Sequence, residues 1–373
     1  MKIALFTNGI FPYVIGGIQK HSYYLIKYLA KINVYVDAYH FKNSESELDH
    51  IFSKEELVYI NLLEFSFPKS IKFPGHYIFK NYILSKEYYK VAIKKNYDLI
   101  YCQGFTSWYF LKKHPFQKNL ITNLHGLNMF QNSVNFRNKL EQILLKIPAK
   151  KIIRNSYKQI SLGGKLTNLL YDNGAMKKSV VEVPNGIDSS WYINPEDLKE
   201  KNNDMKLKLI FIGRYDRTKG VEELNDVINN TIEKLSYQID FIGPIPLDKQ
   251  IKNKNIHYFG LVNDTNFIRN KIREADILIC PSHSEGMPTV ILEAMAGGCA
   301  IIATDVGAIN LMVNFENGWL IKGDIREGLE KYIKEALLLS SKELLELKKN
   351  SLNKIIDKFS WEEIIKNTVK IVN

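Results

Sequence analysis

The chain has 373 residues, of which 45% are hydrophobic, 24% charged and 12% aromatic. At roughly 100–200 residues per domain, this length predicts two domains. The apolar fraction is normal for a globular protein and excludes intrinsic disorder, a collagen-like fibre and a coiled coil. Cys102, Cys280 and Cys299 are scattered and form no C-x-x-C pair, so the sequence predicts neither a disulfide framework nor a zinc site.

The net charge of +11 is unevenly distributed along the chain. Up to Ile187 there are 26 Lys and Arg against 12 Asp and Glu, whereas the remainder has 25 against 28. The first half is therefore expected to face nucleic acid or an anionic membrane surface, unless its lysines only solvate the surface. The first apolar run is too short for a signal peptide, and no stretch of about 18 apolar residues follows. We therefore expect a soluble cytoplasmic protein, or one peripheral to a membrane.

The first half alternates apolar runs with helical patterns. The strand-like runs are Lys2–Phe6, 33–39, 97–104 and 119–126, and the first helical pattern covers Gln19 to Ala30. This alternation predicts βαβ units and a parallel sheet. The polar, proline-containing stretch 183–206 predicts a linker between two domains.

The second half repeats the pattern and ends in helices. Its strand-like runs are 207–214, 238–243, 256–260, 275–282 and 299–307. A helical tail begins at Asp324, and the last helix is predicted at 359–372 with Ser360 as its N-cap. We therefore predict two doubly wound, Rossmann-like α/β domains that face each other across a cleft. Their predicted extents are 1–187 and 207–358, with a linker at 188–206 and a final helix at 359–373 that crosses back to the first domain.

The segment 281–307 has the strongest chemical pattern. Glu285 lies on a predicted loop and Glu293 about one turn into a helix that starts near Thr289, so both carboxylates can face one crevice. Carboxylates accept hydrogen bonds from sugar or ribose hydroxyls, and the free N–H groups of a helix N-terminus suit a phosphate. The alternative is a pair of surface glutamates near a capped helix, which the surrounding glycines and buried strands disfavour.

Arg214 and Lys219 lie on the predicted loop that follows strand 207–214. A guanidinium fork and a compact ammonium group are suited to holding a diphosphate, although two solvated cations would give the same pattern. Gly16 and Gly17 follow the first strand, where glycine lets the backbone approach a ligand closely. His125 ends a predicted buried strand and is either structural or directed at the cleft.

Several motifs are absent from the sequence. It has no D-x-D pair for a nucleotide-bound metal, no phosphate-binding P-loop and no G-x-S-x-G elbow. It also has no G-x-G-x-x-G after the first strand. These absences disfavour a P-loop NTPase, a common hydrolase and a dinucleotide-dependent dehydrogenase.

Four segments of the sequence resemble the family-four retaining glycosyltransferases, which have the two-Rossmann GT-B fold. These segments are GRYDRTKG at 213–220, EGMPTVILEAMAGG at 285–298, VPNGID at 183–188 and the early GGIQKH. The resemblance covers nearly the whole chain. Two departures are Gln19, where the family often has Glu, and Tyr157-Lys158, where an Ala-Asp pair is expected.

The resemblance implies a role for each matching residue. Arg214 and Lys219 would hold the donor diphosphate, Glu293 the ribose hydroxyls and Glu285 the sugar hydroxyls. The loop residues Gly286, Met287, Pro288 and Thr289 would contact the sugar and the distal phosphate through their backbone, with an N–H group from each except Pro288. Leu261 and Val262 would lie beside the base, and Gly16 and Gly17 near the diphosphate. His125 would lie near the transferred sugar. The implied donor is a nucleotide-sugar, preferentially of UDP, and no metal or other cofactor is expected.

The implied activity is a retaining sugar transfer to a glycan or a lipid-linked glycan, as in the assembly of capsule or lipopolysaccharide. Segments 67–86 and 135–154 mix Lys and Arg with apolar residues, which suits an anionic membrane interface or, alternatively, ordinary helices with an apolar side in the core. The other functions considered are a nucleotide-sugar hydrolase, epimerase or phosphorylase on a similar scaffold, and a basic nucleic-acid-binding protein, for which no recognition motif is present. The oligomeric state is not predicted.

Overall fold

The computed structural model describes residues 1–41, 51–66, 76–200, 206–231 and 237–371. The chain divides into two compact units. The first comprises Met1–Asn185 together with Trp361–Asn373, and the second comprises Gly186–Ser360. Each unit is built on its own parallel β-sheet.

The first unit has a seven-stranded sheet with the order β3-β2-β1-β4-β5-β6-β7. Its strands are β1 (Lys2–Phe6), β2 (Tyr35–Phe41), β3 (Ile60–Phe65), β4 (Leu99–Gln103), β5 (Leu120–Asn123), β6 (Lys158–Ser161) and β7 (Val180–Glu182). Ile3 of β1 lies opposite Val36 on one side and Leu99 on the other. The strand order therefore reverses between β1 and β4, and in open α/β sheets ligands bind beyond the carboxyl ends of the strands at such a reversal.

The second unit has a six-stranded sheet with the order β10-β9-β8-β11-β12-β13. Its strands are β8 (Leu207–Ile212), β9 (Tyr237–Ile242), β10 (Ile256–Tyr258), β11 (Ile277–Cys280), β12 (Ala300–Thr304) and β13 (Gly318–Ile321). Leu209 of β8 pairs with Ile239 and with Ile277, so the reversal here lies between β8 and β11. Both sheets have the doubly wound topology that the sequence predicts.

Helices connect the strands and cover the sheets. The first unit contains α1 (Gly17–Lys31), α2 (Lys54–Leu57), α3 (His76–Ala92), α4 (Trp108–Lys113), α5 (Phe136–Asn155) and α6 (Lys165–Asp172). The second contains α7 (Val221–Thr231), α8 (Thr265–Glu274), α9 (Thr289–Ala296), α10 (Ile309–Met312), α11 (Ile325–Leu337) and α12 (Ser341–Lys358). The strands are near-continuous apolar runs because both faces of a parallel sheet are buried under such helices. Among the described helices, none has the length and apolar character that crossing a bilayer requires.

The last helix, α13 (Trp361–Lys370), packs in the first unit although it follows the second in sequence. The indole of Trp361 is fully buried and stacks on Tyr24 and Tyr28 of α1, with ring centroids 5.9 and 5.8 Å apart. The hydroxyl of Tyr28 also donates to Glu362. A buried aromatic side chain of this size contributes strongly to the core, so α13 is fixed to α1. The helix starts directly after Ser360, within the predicted range 359–372.

The segment predicted as a linker differs from that prediction over its described part. Residues 188–200 belong to the second unit, and Ile193 and Leu198 form a small apolar cluster with Leu345 and Leu352 of α12. The N–H of Ile193 donates to the carbonyl of Ala296 at 2.9 Å. Alternating apolar residues within this polar stretch are thus packed rather than solvated. The rest of the predicted linker, 201–205, lies outside the described residues.

Candidate functional site

Two loops of the second unit meet where its strand order reverses. One follows β8 and carries residues 213–220, and the other follows β11 and carries residues 281–288. Gly220 has a φ of 69°, and a Cβ on it would lie 2.0 Å from the carbonyl oxygen of Pro281. The N–H of His283 donates to the carbonyl of Thr218 at 2.7 Å. Glycine is therefore required at position 220 for the two loops to touch.

Lys219 and Glu285, which the sequence predicts as ligand-binding residues, are in direct contact across these loops. The ammonium group of Lys219 lies 2.5 Å from Oε1 of Glu285, and the hydroxyl of Ser282 donates to the same oxygen at 2.9 Å. Burial would lower the pKa of Lys219, but the adjacent Glu285 carboxylate outweighs it and leaves that pKa above its ordinary value. Lys219 is therefore a fixed positive charge at neutral pH.

Arg214 supplies a second cation on the same loop. Its side chain is exposed and, in the described part of the chain, it forms no ion pair. It is near enough to Lys219 for its charge to oppose the protonation of that amine. The charges of both cations also help to lower the pKa of Asp216 on the same loop. Two neighbouring cations, of which Arg214 forms no close ion pair among the described residues, form a site that favours an anion with more than one negative charge.

A buried ion-pair network, which the sequence analysis missed, supports the loop that carries Arg214 and Lys219. Arg217 holds both carboxylate oxygens of Glu223, at 2.8 and 2.6 Å, and Nε2 of His283 lies 3.1 Å from Glu223. Burial opposes ionisation of Glu223, but the hydrogen bond from Arg217 and the neighbouring charges hold its pKa below the ordinary value. The network joins both loops to the first turn of α7. The only signal in the sequence is that the loop has a third cation, Arg217.

Loss of this network should destabilise the second unit. The side chain of Glu223 is 2% exposed, so Glu223→Ala leaves Arg217 without its buried partner. Because Arg217 is 31% exposed and can be partly rehydrated, we expect a loss of about 2 kcal/mol, or roughly 4–8 °C in the melting temperature of this unit. Glu222→Ala is the matched control, since Glu222 is 47% exposed and should contribute less than about 1 kcal/mol. Equal melting temperatures for the two variants would contradict a structural role for Glu223.

The second predicted carboxylate, Glu293, lies on α9 and is buried. Gly286 to Pro288 form the loop before this helix, and Thr289 is its first residue. A Cβ on Gly307 would lie 2.3 Å from the carbonyl oxygens of Glu285 and Gly286, so this glycine, with a φ of 57°, lets the loop pack closely. The side chain of Met287 is buried.

Leu261 and Val262 lie apart from the Lys219–Glu285 pair. They follow β10, the edge strand that β9 separates from β8. The side chain of Leu261 is exposed, as a residue bordering a ligand would be. The predicted contact of these two residues with a base stays a prediction.

His125 lies in the first unit, two residues beyond β5. Its backbone has a φ of 58°, in the left-handed region that non-glycine residues rarely adopt, and its N–H donates to Oδ1 of Asn123 at 2.9 Å. The imidazole is buried, and its Nε2 atom has no hydrogen-bond partner among the described residues. Burial, together with the nearby His21, holds the pKa of His125 well below its ordinary value. The imidazole is therefore neutral at physiological pH.

His21, the last residue of the GGIQKH pattern, was not predicted as a site residue. Its ring centroid lies 5.0 Å from that of His125 and 5.3 Å from that of Trp361. The side-chain amide of Gln103 lies 3.0 Å from its Nδ1 atom, and burial lowers the pKa of His21 to about 4. The two histidines thus form one buried, neutral pair.

Gly16 and Gly17, which the sequence places in the loop before a helix at Gln19, instead begin that helix, α1. Gly16 is its N-cap and Gly17 its first helical residue. A Cβ on Gly17 would meet nothing within 4 Å among the described residues, so no protein contact explains glycine there. The predicted approach of a diphosphate to this position stays a prediction.

Two family models match the chain. The model described as "Glycosyltransferase Family 4" matches residues 15–191, and the model described as "Glycosyl transferases group 1" matches residues 206–338. The Family 4 match lies in the seven-stranded unit and ends just inside the second unit. The group 1 match covers all six strands of the second sheet.

Curated relatives point to the same family. The uncharacterized glycosyltransferase MJ1178 of Methanocaldococcus jannaschii is 26% identical over 386 residues, which span 100% of this chain and 97% of that protein. A UDP-Gal:alpha-D-GlcNAc-diphosphoundecaprenol alpha-1,3-galactosyltransferase of Escherichia coli is 29% identical over 217 residues, 52% of this chain and 53% of that enzyme.

Solved structures share the architecture of the whole chain. A sucrose-phosphate synthase from Thermosynechococcus elongatus has a TM-score of 0.80 at 18% identity, and the match covers 99% of this chain and 98% of that one. Anabaena HepE in complex with UDP-glucose has a TM-score of 0.69 at 17% identity, with 99% of both chains covered. At such low identity these similarities concern the fold. Since the two family models together match most of both units, and the sheets have the Rossmann-like strand order, the chain belongs to the family 4-like glycosyltransferases with the GT-B fold.

Proposed function

We propose that this glycosyltransferase transfers a sugar from a UDP-sugar to a glycan or lipid-linked glycan, with retention of the anomeric configuration and without a divalent metal. The observation that carries the proposal is the contact of Lys219 with the buried carboxylate of Glu285 across the two loops beside the β8/β11 reversal. Arg214 lies on the first of these loops, and the buried Glu293 lies on α9, which follows the second. A nucleotide-sugar presents a diphosphate for the cations and hydroxyl groups for the carboxylates.

The donor would bind the second unit through complementary groups. Arg214, Lys219 and the N-terminus of α9 would receive the diphosphate, where free backbone N–H groups and the helix dipole favour negative charge. Glu293 would accept hydrogen bonds from the ribose hydroxyls, and Glu285 from the sugar. The bound diphosphate would then share Lys219 with Glu285, which keeps the amine protonated.

The proposed step uses no protein nucleophile. The acceptor hydroxyl oxygen bonds to the anomeric carbon on the face from which the diphosphate leaves. The bond between that carbon and the diphosphate oxygen breaks, its electron pair stays on the diphosphate, and the hydroxyl proton passes to a phosphate oxygen. Arg214 and Lys219 would stabilise the negative charge that develops on the leaving group, which is the task a metal performs elsewhere. In the first unit, the neutral His125 has an Nε2 atom without a hydrogen-bond partner among the described residues, and we propose it as a sugar-binding group of that unit.

The acceptor proposal rests on the relatives and on charge. The name of the E. coli relative specifies a sugar attached to diphosphoundecaprenol as its acceptor. Another relative, of Staphylococcus aureus, is named a capsular polysaccharide biosynthesis glycosyltransferase. By extension, we place this chain in the assembly of a surface polysaccharide at an anionic membrane, to which its basic first half would be attracted.

The test is a screen of nucleotide-sugars scored by release of the nucleoside diphosphate, with and without a glycan acceptor. We expect release from a UDP-sugar that depends on acceptor, the same anomeric configuration in donor and product by NMR, and an unchanged rate in excess EDTA. A rate that vanishes in EDTA and returns with Mg²⁺ or Mn²⁺ would overturn metal independence.

The same screen separates the remaining functions. Release at the same rate without acceptor would indicate a hydrolase, and conversion of the donor to another nucleotide-sugar would indicate an epimerase. Salt-dependent binding to duplex DNA, with no turnover of any donor, would favour a nucleic-acid-binding protein.

A further inference from the structure

The first three turns of α5 carry an uncovered apolar stripe. Its members are Phe136, Leu140, Ile143, Leu144 and Ile147, whose side chains are between 37% and 82% exposed. Their spacing of three and four residues places them on one side of the helix. From 136 to 147, no residue whose side chain is described is buried. The sequence left open whether the apolar side of segment 135–154 packs in the core, and for this half of the helix it does not.

The other half of α5 anchors the helix in the first unit. Ala149, Ile152 and Ile153 are fully buried, and Pro148 stands at the boundary between the two halves. At the other end the side chain of Asn135 accepts from the N–H of Asn138 at 2.8 Å, which caps the helix. The exposed stripe is therefore held on a capped and anchored helix.

Positive charge surrounds the stripe. The range 136–155 contains six Lys and Arg and one acidic residue, Glu141. Lys151, one turn beyond Ile147, lines a mostly apolar groove of about 720 Å³ between α3, α4 and α5, together with Phe79, Trp108 and Lys112. The groove continues the apolar surface, since Lys151 follows the stripe at the same four-residue spacing. An apolar strip with a basic border is complementary to the interface of an anionic bilayer, where hydrocarbon and phosphate lie a few ångströms apart.

The opposite side of α5 contacts the segment that follows His125. The side chain of Gln142 donates to the carbonyl of Asn128 at 3.0 Å, and Gln131 donates to the carbonyl of Gly126 at 2.6 Å. The helix that carries the stripe is therefore fixed to this segment of the first unit.

We propose that the outer face of α5, from Phe136 to Ile147, binds the surface of an anionic membrane and so holds the first unit at a membrane that contains the acceptor. The inference rests on the proposed function for the identity of the acceptor, but the binding itself requires no turnover. The apolar side chains enter the interface, and the surrounding Lys and Arg contact lipid phosphates.

The test measures binding of the full-length chain to vesicles by flotation. The wild-type chain is expected to bind vesicles with 30% anionic lipid at low salt, to bind purely zwitterionic vesicles at least tenfold more weakly, and to dissociate as salt rises. The triple variant Leu140→Gln, Ile143→Gln, Ile147→Gln should lose at least tenfold in binding. The matched control is Leu247→Gln, Phe315→Gln, Leu338→Gln, which removes three apolar side chains that are 85%, 86% and 86% exposed in the second unit and should change binding less than twofold.

Three results would overturn the proposal. The first is a wild-type chain that ignores anionic vesicles at low salt, and the second is an equal loss in the control variant. The third is self-association of the wild-type chain in gel filtration when the α5 variant is monomeric but binds vesicles as well as the wild-type chain. That result would make the stripe a contact between copies of the chain. A chain that binds vesicles but turns over no nucleotide-sugar would contradict the proposed function alone, whereas turnover of a water-soluble acceptor without vesicle binding would contradict the α5 proposal alone.

Discussion

Replacement of Lys219 by alanine is expected to lower kcat for sugar transfer at least ~10²-fold, which corresponds to about 2.7 kcal/mol of lost transition-state stabilisation. The ammonium group is fixed between two loops by Glu285, at 2.5 Å, so it need not reorganise when negative charge develops on the leaving diphosphate. The variant also leaves the buried Glu285 carboxylate without its counter-charge, which would repel the diphosphate. Both effects act in the same direction.

The measurement is the initial rate of UDP release at saturating acceptor, with circular dichroism as the check on folding. Lys249→Ala is the matched control, because Lys249 is an exposed lysine of the same unit that pairs only with the exposed Asp248 among the described residues. It should change the rate less than twofold. Arg214→Ala should resemble Lys219→Ala, since it removes the exposed cation of the same loop. Near-normal turnover in either site variant would mean that the diphosphate is bound elsewhere.

The fold could be predicted from the sequence because most strands are buried on both faces. Such strands are apolar runs, as in β8, β11 and β12, and their alternation with helices gives a parallel, doubly wound sheet. Strands β3, β6, β7 and β13 were not predicted. β6 and β7 have four and three residues and include Lys158, Gln159 and Glu182, so neither has an apolar pattern of its own; β6 pairs with β5, and β7 pairs with β6.

Arg214, Lys219 and Glu285 could be singled out as candidates because each lies on a glycine-containing loop directly after an apolar run. The contact between Lys219 and Glu285 could not, since it depends on β8 and β11 being neighbours in the sheet although 64 residues separate Ile212 from Ile277. The same holds for the Arg217–Glu223–His283 network, whose members follow no recognisable spacing. His21 was part of a recognised pattern, but its contact with His125 arises only when α1 packs beside the end of β5.

The histidine pair in the first unit leads to a prediction on stability. His21 is buried against Tyr101, His125 and Trp361, and this burial is what lowers its pKa. A protonated imidazole would have no counter-charge there, which is why the pKa of His21 lies at about 4. In the unfolded chain the same side chain titrates near 6.5. Between these two values the unfolded state binds a proton that the folded state does not.

The first unit should therefore have its full stability with respect to His21 above about pH 6.5. Its free energy of unfolding should then fall progressively as the pH is lowered towards about 4. At about 1.36 kcal/mol per pKa unit, His21 alone should remove about 3 kcal/mol from the free energy of unfolding of the first unit, and His125, whose pKa is also lowered, should add to this loss. Calorimetry between pH 7 and pH 4 would follow the transition of each unit separately, and NMR titration of the imidazole protons would test the two pKa values directly.

His21→Gln should flatten the pH dependence of the first unit, because the amide cannot take up a proton. His257→Gln is the control, since His257 lies in the second unit with a 43% exposed side chain and should leave the first transition unchanged. An imidazole of His21 that titrates near 6.5 in the folded chain would contradict the prediction. So would a first unit equally stable at pH 7 and pH 4.5.

The outcome also bears on catalysis, because a His125 that stays neutral to low pH offers the sugar one N–H group and one lone pair. The pH dependence of sugar transfer should then show no titration of His125 near 6.5.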